Sequence, residues 1–342
     1  MPRVAAAALV CSVALGVAQQ APRVDVTLFA LPFIAVVHDA DTTSAFYQAL
    51  GLQSSSSPSP ALASWTSDSS ILRLHGAARG EVRFAPLSLP GGHQSIELIE
   101  WRDIDRAPVR PRILDPGAAT LVLEVRDVDA VLRGLRPRGV RVLTVGGEPI
   151  PLGDLGSRAR AAVIVDPDGH FVELLQPELP PRGSPQTADL IAARTRVTVA
   201  DTERTMKLYR DRLGLQAAVG DFRDDRQTQA LYGLGRGEVR TSSVEMPAST
   251  IEFIEFRGFE RTPVQARSYD PGATGVQLQV RNVDAALDAF RQGGAVVVST
   301  GGQAVDFPGP PEHPELHHRL VALRDLNNLF VFLTEEPGAR RP

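Results

Sequence analysis

The stretches DPGAATLVLEVRDVDAVL (residues 115–132) and DPGATGVQLQVRNVDAAL (residues 270–287) are two copies of one pattern. Each reads as a DPG turn, a largely apolar strand and a helix. Two further pairs repeat, IELIEW at 96 with IEFIEF at 251, and GGEPIPL at 146 with GGQAVDF at 301. All three pairs are separated by 155 residues. Because identical residues recur, and not only apolar ones, the sequence indicates two copies of one module.

Length and composition agree with two modules and narrow the class of protein. The chain has 342 residues, of which 43% are hydrophobic and 22% charged, as expected for a globular protein with about two domains. Its 36 basic and 40 acidic groups leave a formal charge of -4, without the basic surface that nucleic acid would require. A single cysteine excludes both a zinc-thiolate cluster and an internal disulfide framework.

The first 18 residues are typical of a signal peptide. Arg3 is followed by the uncharged run VAAAALVCSVALGV (residues 4–17), which suits a signal-peptide core and is short for a membrane span. Gly16 and Ala18 are the small residues expected before a cut at Gln19. The sequence therefore predicts an exported protein, periplasmic or extracellular, with no membrane segment after cleavage. Cys11 would be removed with the leader.

A linker separates the two repeats. The segment PELPPRGSPQTAD (residues 177–189) is rich in Pro and Gly, which is typical of an extended connection. We therefore expect a first module over residues 26–178, a linker over 179–189 and a second module over 190–336. The predicted fold class is α+β, with mixed sheets that carry helices on one face and leave the other face free.

The order of the motifs resembles the vicinal oxygen chelate superfamily, which includes glyoxalase I, bleomycin-resistance proteins and extradiol dioxygenases. An opening signature runs from Asp39 to Tyr47 and again from Asp201 to Tyr209, each followed by LG, and DPDG (residues 166–169) is followed by Glu173. The resemblance covers nearly the whole chain after the leader, once in each repeat. It implies βαβββ modules that form paired, cup-shaped mixed sheets within one chain, with a ligand site on the concave face.

Enzymes of this family usually bind a divalent metal through His and Glu side chains on that face. Each module has four such ligand positions. In the first module they hold Pro32, Glu97, Thr120 and Glu173, and in the second Arg194, Glu252, Gly275 and Phe332. Both histidine positions are therefore lost in both modules. A conventional His/Glu centre is not expected, although carboxylates and imidazole are competent ligands for Mn, Fe, Zn or Ni.

Strand alternation predicts which side chains face the cups. The first module would present an acidic set, Glu97, Glu124 and Glu173 with His38, beside Trp101 and Thr120. The second would present Arg196, Glu252, Gln277, Gln279 and Phe332. Glu97, Glu173 and His38 are the catalytic candidates, Glu97 and Glu173 the metal-ligand candidates, and the others the ligand-binding candidates. His75 and His170, which lie at turns, are expected to be exposed.

Several interpretations of these side chains remain open. The acids of the first module could form an atypical metal site, a metal-free acid/base site, or a solvated face paired with nearby arginines, and Arg196 could form an ion pair with Glu252. The leading hypothesis is an exported protein that binds a small organic molecule. The alternatives are a metal-dependent lyase or dioxygenase with a carboxylate-rich site, and a protein-interaction module.

Overall fold

A computed structural model describes residues 24–55, 63–91, 94–153, 157–179, 189–247, 249–309 and 317–335. The predicted signal peptide (1–18) and all but the two end residues of the predicted linker (179–189) lie outside these ranges. Within them, no helix is both long enough and apolar enough to cross a bilayer.

The described chain forms four consecutive units, each of which begins with a strand and a helix and ends with two antiparallel strands. The first unit contains β1 (Val26–Val37), α1 (Ala40–Ala49), β2 (Gln53–Ser54), α2 (Ser69–Leu74), β3 (Glu81–Ser88) and β4 (Ser95–Arg102). The second contains β5 (Ala119–Val125), α3 (Val128–Leu135), β6 (Arg141–Val142), β7 (Ile150–Pro151), β8 (Arg160–Val165) and β9 (Phe171–Gln176).

The third and fourth units repeat this order. The third contains β10 (Leu190–Thr198), α4 (Thr202–Met206), β11 (Ala217–Val219), α5 (Arg226–Leu231), β12 (Glu238–Met246) and β13 (Ser249–Arg257), with a π-helical turn (Lys207–Arg212) after α4. The fourth contains β14 (Thr274–Val280), α6 (Val283–Gln292), β15 (Val296–Val297), β16 (Val305–Phe307), β17 (His318–Arg324) and β18 (Phe330–Glu335). The expected α+β class is confirmed.

The strands form two mixed sheets, and each sheet takes strands from both sequence repeats. Sheet A has the order β15-β17-β18-β14-β1-β4-β3-β2, with β16 paired to β17, so it joins the first and fourth units. Sheet B has the order β11-β12-β13-β10-β5-β9-β8-β6, with β7 paired to β8, so it joins the second and third units. The central contacts are the antiparallel pairs β1–β14 and β5–β10.

The DPG stretches mark the points where the chain passes from one sheet to the other. Gly117 has a φ of 92° and Gly272 a φ of 94°, a region that L-residues with side chains rarely adopt. A Cβ at Gly117 would lie 2.6 Å from the carbonyl oxygen of Asn327, and one at Gly272 would collide with the carbonyl oxygen of Val109. Glycine is therefore required at both crossings for conformation and for space.

The opening signature ties the helices to the opposite sheet. Asp39 and Asp201 cap α1 and α4, each accepting a hydrogen bond from a backbone N–H three residues later. Tyr47 Oη donates to Asp166 Oδ2 at 3.1 Å, although Asp166 follows a strand of sheet B. Tyr209 Oη makes the equivalent contact with Asp325 Oδ2 at 3.0 Å, and Asp325 follows strand β17 of sheet A.

One continuous core lies between the sheets. Residues from α1, α3, α4 and α6 pack there with alternate residues of both sheets, including Phe33, Leu98, Leu121 and Val276. The opposite faces carry separate apolar clusters, which we call face A, on sheet A, and face B, on sheet B. Helix α2 contributes to the cluster on face A and α5 to that on face B.

Candidate functional sites on the two outer sheet faces

The two faces divide the candidate residues differently from the sequence prediction. We define site A by Glu97, Trp101, Gln277, Gln279 and Phe332 on sheet A. We define site B by Thr120, Glu124, Glu173, Arg194, Arg196 and Glu252 on sheet B. The single acidic set predicted for the first module is therefore wrong, because strand β4 belongs to sheet A whereas β5 and β9 belong to sheet B. Glu97 and Glu173 cannot ligate one metal ion from different sheets.

His38 belongs to neither site. It is exposed, directly after the end of β1, and its backbone N–H donates to Asp168 Oδ1 at 2.6 Å. The prediction that His38 joins Glu97 on the face of the sheet is wrong, because the strand ends before this residue. Its backbone connects the end of β1 to the DPDG turn.

Site B is a continuous ladder of ion pairs. Arg194 bridges Glu124 Oε1 and Glu252 Oε1, the latter at 2.7 Å. Arg196 bridges Glu252 Oε2, at 2.7 Å, and Glu173 Oε2. Both oxygens of Glu252 are thus bound to arginine, and the ion pair expected between Arg196 and Glu252 is confirmed.

The ladder is buried, and its charges stabilise each other. Glu173 is only 1% exposed, and Tyr232 Oη donates to it at 3.2 Å. Burial alone would raise the pKa of Glu252, but the positive charges of Arg196 and Arg194 outweigh it and hold the pKa below its usual value. Burial likewise opposes the charge of Arg196, while Glu173 and its other neighbours keep its pKa well above the usual value.

Site A contains a carboxyl without such partners. Glu97 lies between Ile34 on β1 and Pro86 on β3, and no described residue pairs with its side chain. It is half-buried, and desolvation raises its pKa to about 7. Gly275, which pairs with Ile34 on the other side, adds no side chain to the face. Glu97 is therefore a carboxyl that faces apolar neighbours.

Aromatic rings form the other end of site A. The ring of His75 lies 5.2 Å from that of Trp101 and 5.3 Å from that of Phe332, measured between centroids. His75 and Trp101 are both buried, and His75 Nδ1 and Trp101 Nε1 have no hydrogen-bond partner among the described residues. Burial lowers the pKa of His75 to about 4, an effect that the hydrogen bond of its ring to the Ser268 backbone only partly opposes, so the ring is neutral at pH 7.

The expectation that His75 and His170 are exposed is wrong. His75 is the C-cap of α2, and α2 is held over face A because Ser299 Oγ donates to the Leu74 carbonyl at 2.9 Å. The repeat contains a signal for this placement, since LHGAARGEVR (residues 74–83) aligns with LYGLGRGEVR (residues 231–240). His75 occupies the position equivalent to that of Tyr232 in this alignment. His170 is buried against Asp166, with 2.8 Å between Nδ1 and Oδ2.

The remaining candidates of site A have polar contacts of their own. Gln277 Nε2 donates to Thr334 Oγ1 at 2.6 Å, and the Gln277 and Gln279 side chains are half-buried. Phe332 replaces, at the end of the fourth unit, the carboxylate that Glu173 supplies in the second. Site A is therefore mainly apolar, with a single carboxyl.

The metal implied by the family resemblance does not fit either site. In site A, Pro32, Gly275 and Phe332 offer no ligand atoms beside Glu97. In site B, guanidinium groups already bind the carboxylates of Glu173 and Glu252. Consistent with this, the described ranges contain no group of three or more His, Cys, Asp or Glu side chains arranged to hold a metal ion.

Solved structures with the same architecture include glyoxalase I from Zea mays, with a TM-score of 0.57, 16% sequence identity, and coverage of 90% of this chain and 92% of that chain. A putative dioxygenase from Bacillus subtilis has a TM-score of 0.52 and 13% identity, covering 92% of this chain and 87% of that chain. At these identities the similarity establishes the fold. No family model matches the sequence, and no curated protein is significantly similar to it.

Proposed function

We propose that this chain, which has the paired βαβββ fold of the vicinal oxygen chelate superfamily, binds a small organic molecule at site A. The molecule would have a largely apolar, ring-sized body and would carry an ammonium or another strong hydrogen-bond donor. The observation that carries this proposal is the half-buried Glu97 carboxyl, which faces an apolar surface and has no partner among the described residues.

The proposal rests first on the cost of leaving polar groups unpaired. A buried polar group without a hydrogen bond costs about 1–3 kcal/mol, so native proteins rarely keep one without a reason. Face A has two such atoms, His75 Nδ1 and Trp101 Nε1, and beside them the half-buried Glu97 carboxyl, with which no described residue pairs. A ligand that donates to Glu97 would remove the largest of these penalties, because it would pair a desolvated carboxylate.

The apolar surroundings support a small organic ligand rather than an ion. Ile34 and Ile99 flank Glu97 on the same face, and Phe330 and Phe332 lie across Gly275 from it. Pockets for small molecules are typically lined by apolar and aromatic side chains with a few polar groups that fix orientation. In site B, arginines bind the carboxylates of Glu173 and Glu252, and the one buried oxygen without a partner among the described atoms of the ladder, Glu124 Oε2, belongs to a carboxylate that Arg194 already binds through Oε1.

Binding can be tested with 2-phenylethylamine and its uncharged analogue 2-phenylethanol, followed by calorimetry and by the fluorescence of the buried Trp101. We expect the amine to bind more tightly than the alcohol, and Glu97→Gln to weaken amine binding by about tenfold or more, as for loss of a hydrogen bond to a charged group. Amine binding should strengthen between pH 6 and pH 8, as Glu97 loses its proton.

The matched control is Glu252→Gln, at the equivalent position of site B, which should leave amine affinity unchanged. Equal affinity for amine and alcohol, or equal weakening by the two substitutions, would contradict the assignment of the site to Glu97.

We also propose that the protein acts outside the cytoplasm. The basis is the sequence of residues 1–18 alone. The intact mass of the protein expressed with its leader in a secretion-competent bacterial host should correspond to a chain that begins at Gln19. A mass that retains Met1, in protein recovered from the cytoplasm, would contradict export.

A further inference from the structure

We propose that Arg196 is a built-in cation that occupies the metal position of site B, so that Glu173 and Glu252 form a latent divalent-metal site which opens when Arg194 and Arg196 are removed. The family resemblance implies a metal ion in site B, whereas the structure has arginines there. One cation thus takes the place of another.

The register of the strands places Arg196 at the centre of the four relevant positions. On one side Arg196 pairs with Glu252 of β13, and on the other side with Thr120 of β5. One row away, Arg194 pairs with Val122, which in turn pairs with Glu173 of β9. The four positions at which the resemblance expects ligands, Arg194, Glu252, Thr120 and Glu173, therefore lie beside Arg196 on the sheet, and its guanidinium binds the two that are carboxylates, Glu252 and Glu173.

The contacts of Arg196 are those expected of a cation in a carboxylate site. It binds Glu252 Oε2 through both Nε and Nη2, and Glu173 Oε2 through Nη1. A guanidinium also prefers this role chemically, because it stays charged when buried and donates to several carboxylate oxygens at once. A divalent ion at the same place would lie in contact with that positive charge and would be repelled.

Removal of both arginines would make the site more negative. The ladder holds three carboxylates and two guanidinium groups, so loss of Arg194 and Arg196 leaves three carboxylates with no cation. Replacement of Arg194 by histidine adds an imidazole at the first ligand position. A set of one imidazole and two carboxylates is a competent first-row metal site, as in zinc enzymes with an open coordination position.

Site A cannot be opened in this way. Its equivalent of Glu173 is Phe332, and its equivalent of Arg194 is Pro32. The latent metal site is therefore specific to site B, although both sites descend from the same repeated pattern.

The test compares the mature wild-type chain without an affinity tag with the double variant Arg194→His/Arg196→Ala, both dialysed against EDTA and titrated calorimetrically with Ni²⁺ and Zn²⁺. We expect the double variant to bind one equivalent of metal ion with a dissociation constant at least about 100-fold below that of the wild type. This factor is the largest change in metal affinity that usually follows mutation of residues that hold the ligands of a metal. Adding Glu173→Gln to the double variant should abolish the gain.

Arg240→Ala is the matched control. Arg240 is as buried as Arg196, with 14% side-chain exposure for each, and it also bridges two carboxylates, those of Glu203 and Glu255. Its removal frees two acids that do not occupy the ligand positions, so we expect no gain in metal affinity. An equal gain in this control would overturn the proposal, because any freed pair of carboxylates would then suffice.

Two other results would also overturn the proposal. One is a wild-type protein that binds one equivalent of Ni²⁺ and loses it in Glu173→Gln, since Arg196 would then not exclude the metal. The other is a double variant that folds by circular dichroism and binds no metal. If the double variant is unfolded after dialysis, addition of Zn²⁺ should restore its circular dichroism spectrum, and failure to restore it counts against the proposal.

Discussion

Glu173 in site B and Phe332 in site A occupy equivalent ends of two equivalent strands, yet they give the two faces opposite chemistry. Around Glu173, two arginines and a tyrosine bind Glu173, Glu252 and one oxygen of Glu124, whose other oxygen has no partner among the described residues. Around Phe332, the facing residue is the neutral ring of His75, and the one carboxyl of the site, Glu97, pairs with no residue in the part of the chain that the structure describes. The same frame thus supports a closed electrostatic network on one face and an open apolar surface on the other.

The two sites show two ways in which a desolvated carboxyl group can be accommodated on the face of a sheet. Desolvation of a carboxylate must be compensated by an opposite charge or by hydrogen bonds, or else the group takes up a proton. Site B uses the first solution, since arginines lower the pKa of Glu252. In site A the carboxyl instead favours its protonated form, since desolvation raises the pKa of Glu97 to about 7. In site A a ligand can improve the balance by supplying a partner to a carboxyl that no described residue binds.

The largest expected effect comes from breaking the network of site B. Arg196→Ala should lower the free energy of unfolding by about 3–5 kcal/mol, because it leaves the buried carboxylates of Glu173 and Glu252 without their shared partner. Urea denaturation at pH 7 measures this loss. Arg240→Ala should cost less, because Glu203 is largely exposed and can regain water, and Glu255 keeps a hydrogen bond from the backbone N–H of Thr202. Equal losses would show that the buried position of Glu173 has no special weight.

A smaller effect separates the two sites by their response to pH. The pKa of Glu97 is raised in the folded protein, so its contribution to stability is greatest below pH 4.5 and is lost as pH rises towards 7. Glu97→Gln should therefore raise the free energy of unfolding at pH 8, by on the order of 1–2 kcal/mol after allowance for partial exposure, and should change little at pH 4.5.

Glu252→Gln should respond in the opposite direction. The pKa of Glu252 is lowered by Arg196 and Arg194, so its contribution is present above pH 4.5 and is lost as pH falls through the folded pKa. The substitution should destabilise the protein at pH 8. Urea curves for both variants at pH 4.5 and pH 8 decide the matter, and a Glu97→Gln variant that is less stable than wild type at pH 8 would refute the contrast.

Local features of the fold were predictable from the sequence because they depend on neighbouring residues. The alternation of SIELIEW puts Ile96 and Leu98 into the helix-facing core and Ile99 and Trp101 on the outer face, as the structure has them. The α+β class followed from the same reasoning. These inferences need only the two-residue period of a strand and the order of the elements.

The partners of the strands were not predictable in the same way. Strand β1 could in principle pair with β5 or with β14, because the two repeats present nearly the same apolar pattern at these strands. It pairs with β14, which moves Glu97 away from Glu124 and Glu173 and groups it with Gln277 and Phe332. The burial of His75 was not predictable for a related reason, since the short helix α2 covers face A through contacts with residues distant in sequence, such as Ser268 and Ser299.

The smallest effect tests whether the asymmetry extends beyond the two sites. Tyr47→Phe and Tyr209→Phe each remove one buried hydroxyl that donates to an aspartate, and each aspartate keeps two backbone N–H donors from its own turn. We expect equal losses of about 1 kcal/mol in the free energy of unfolding, the usual contribution of one such hydrogen bond. Equal values would mean that the frame is energetically symmetric and that only the two sites have diverged. A Tyr47→Phe loss well above that of Tyr209→Phe would instead indicate that the buried Asp166–His170 pair, which has Asn327 as its counterpart beside Asp325, makes the frame itself unequal.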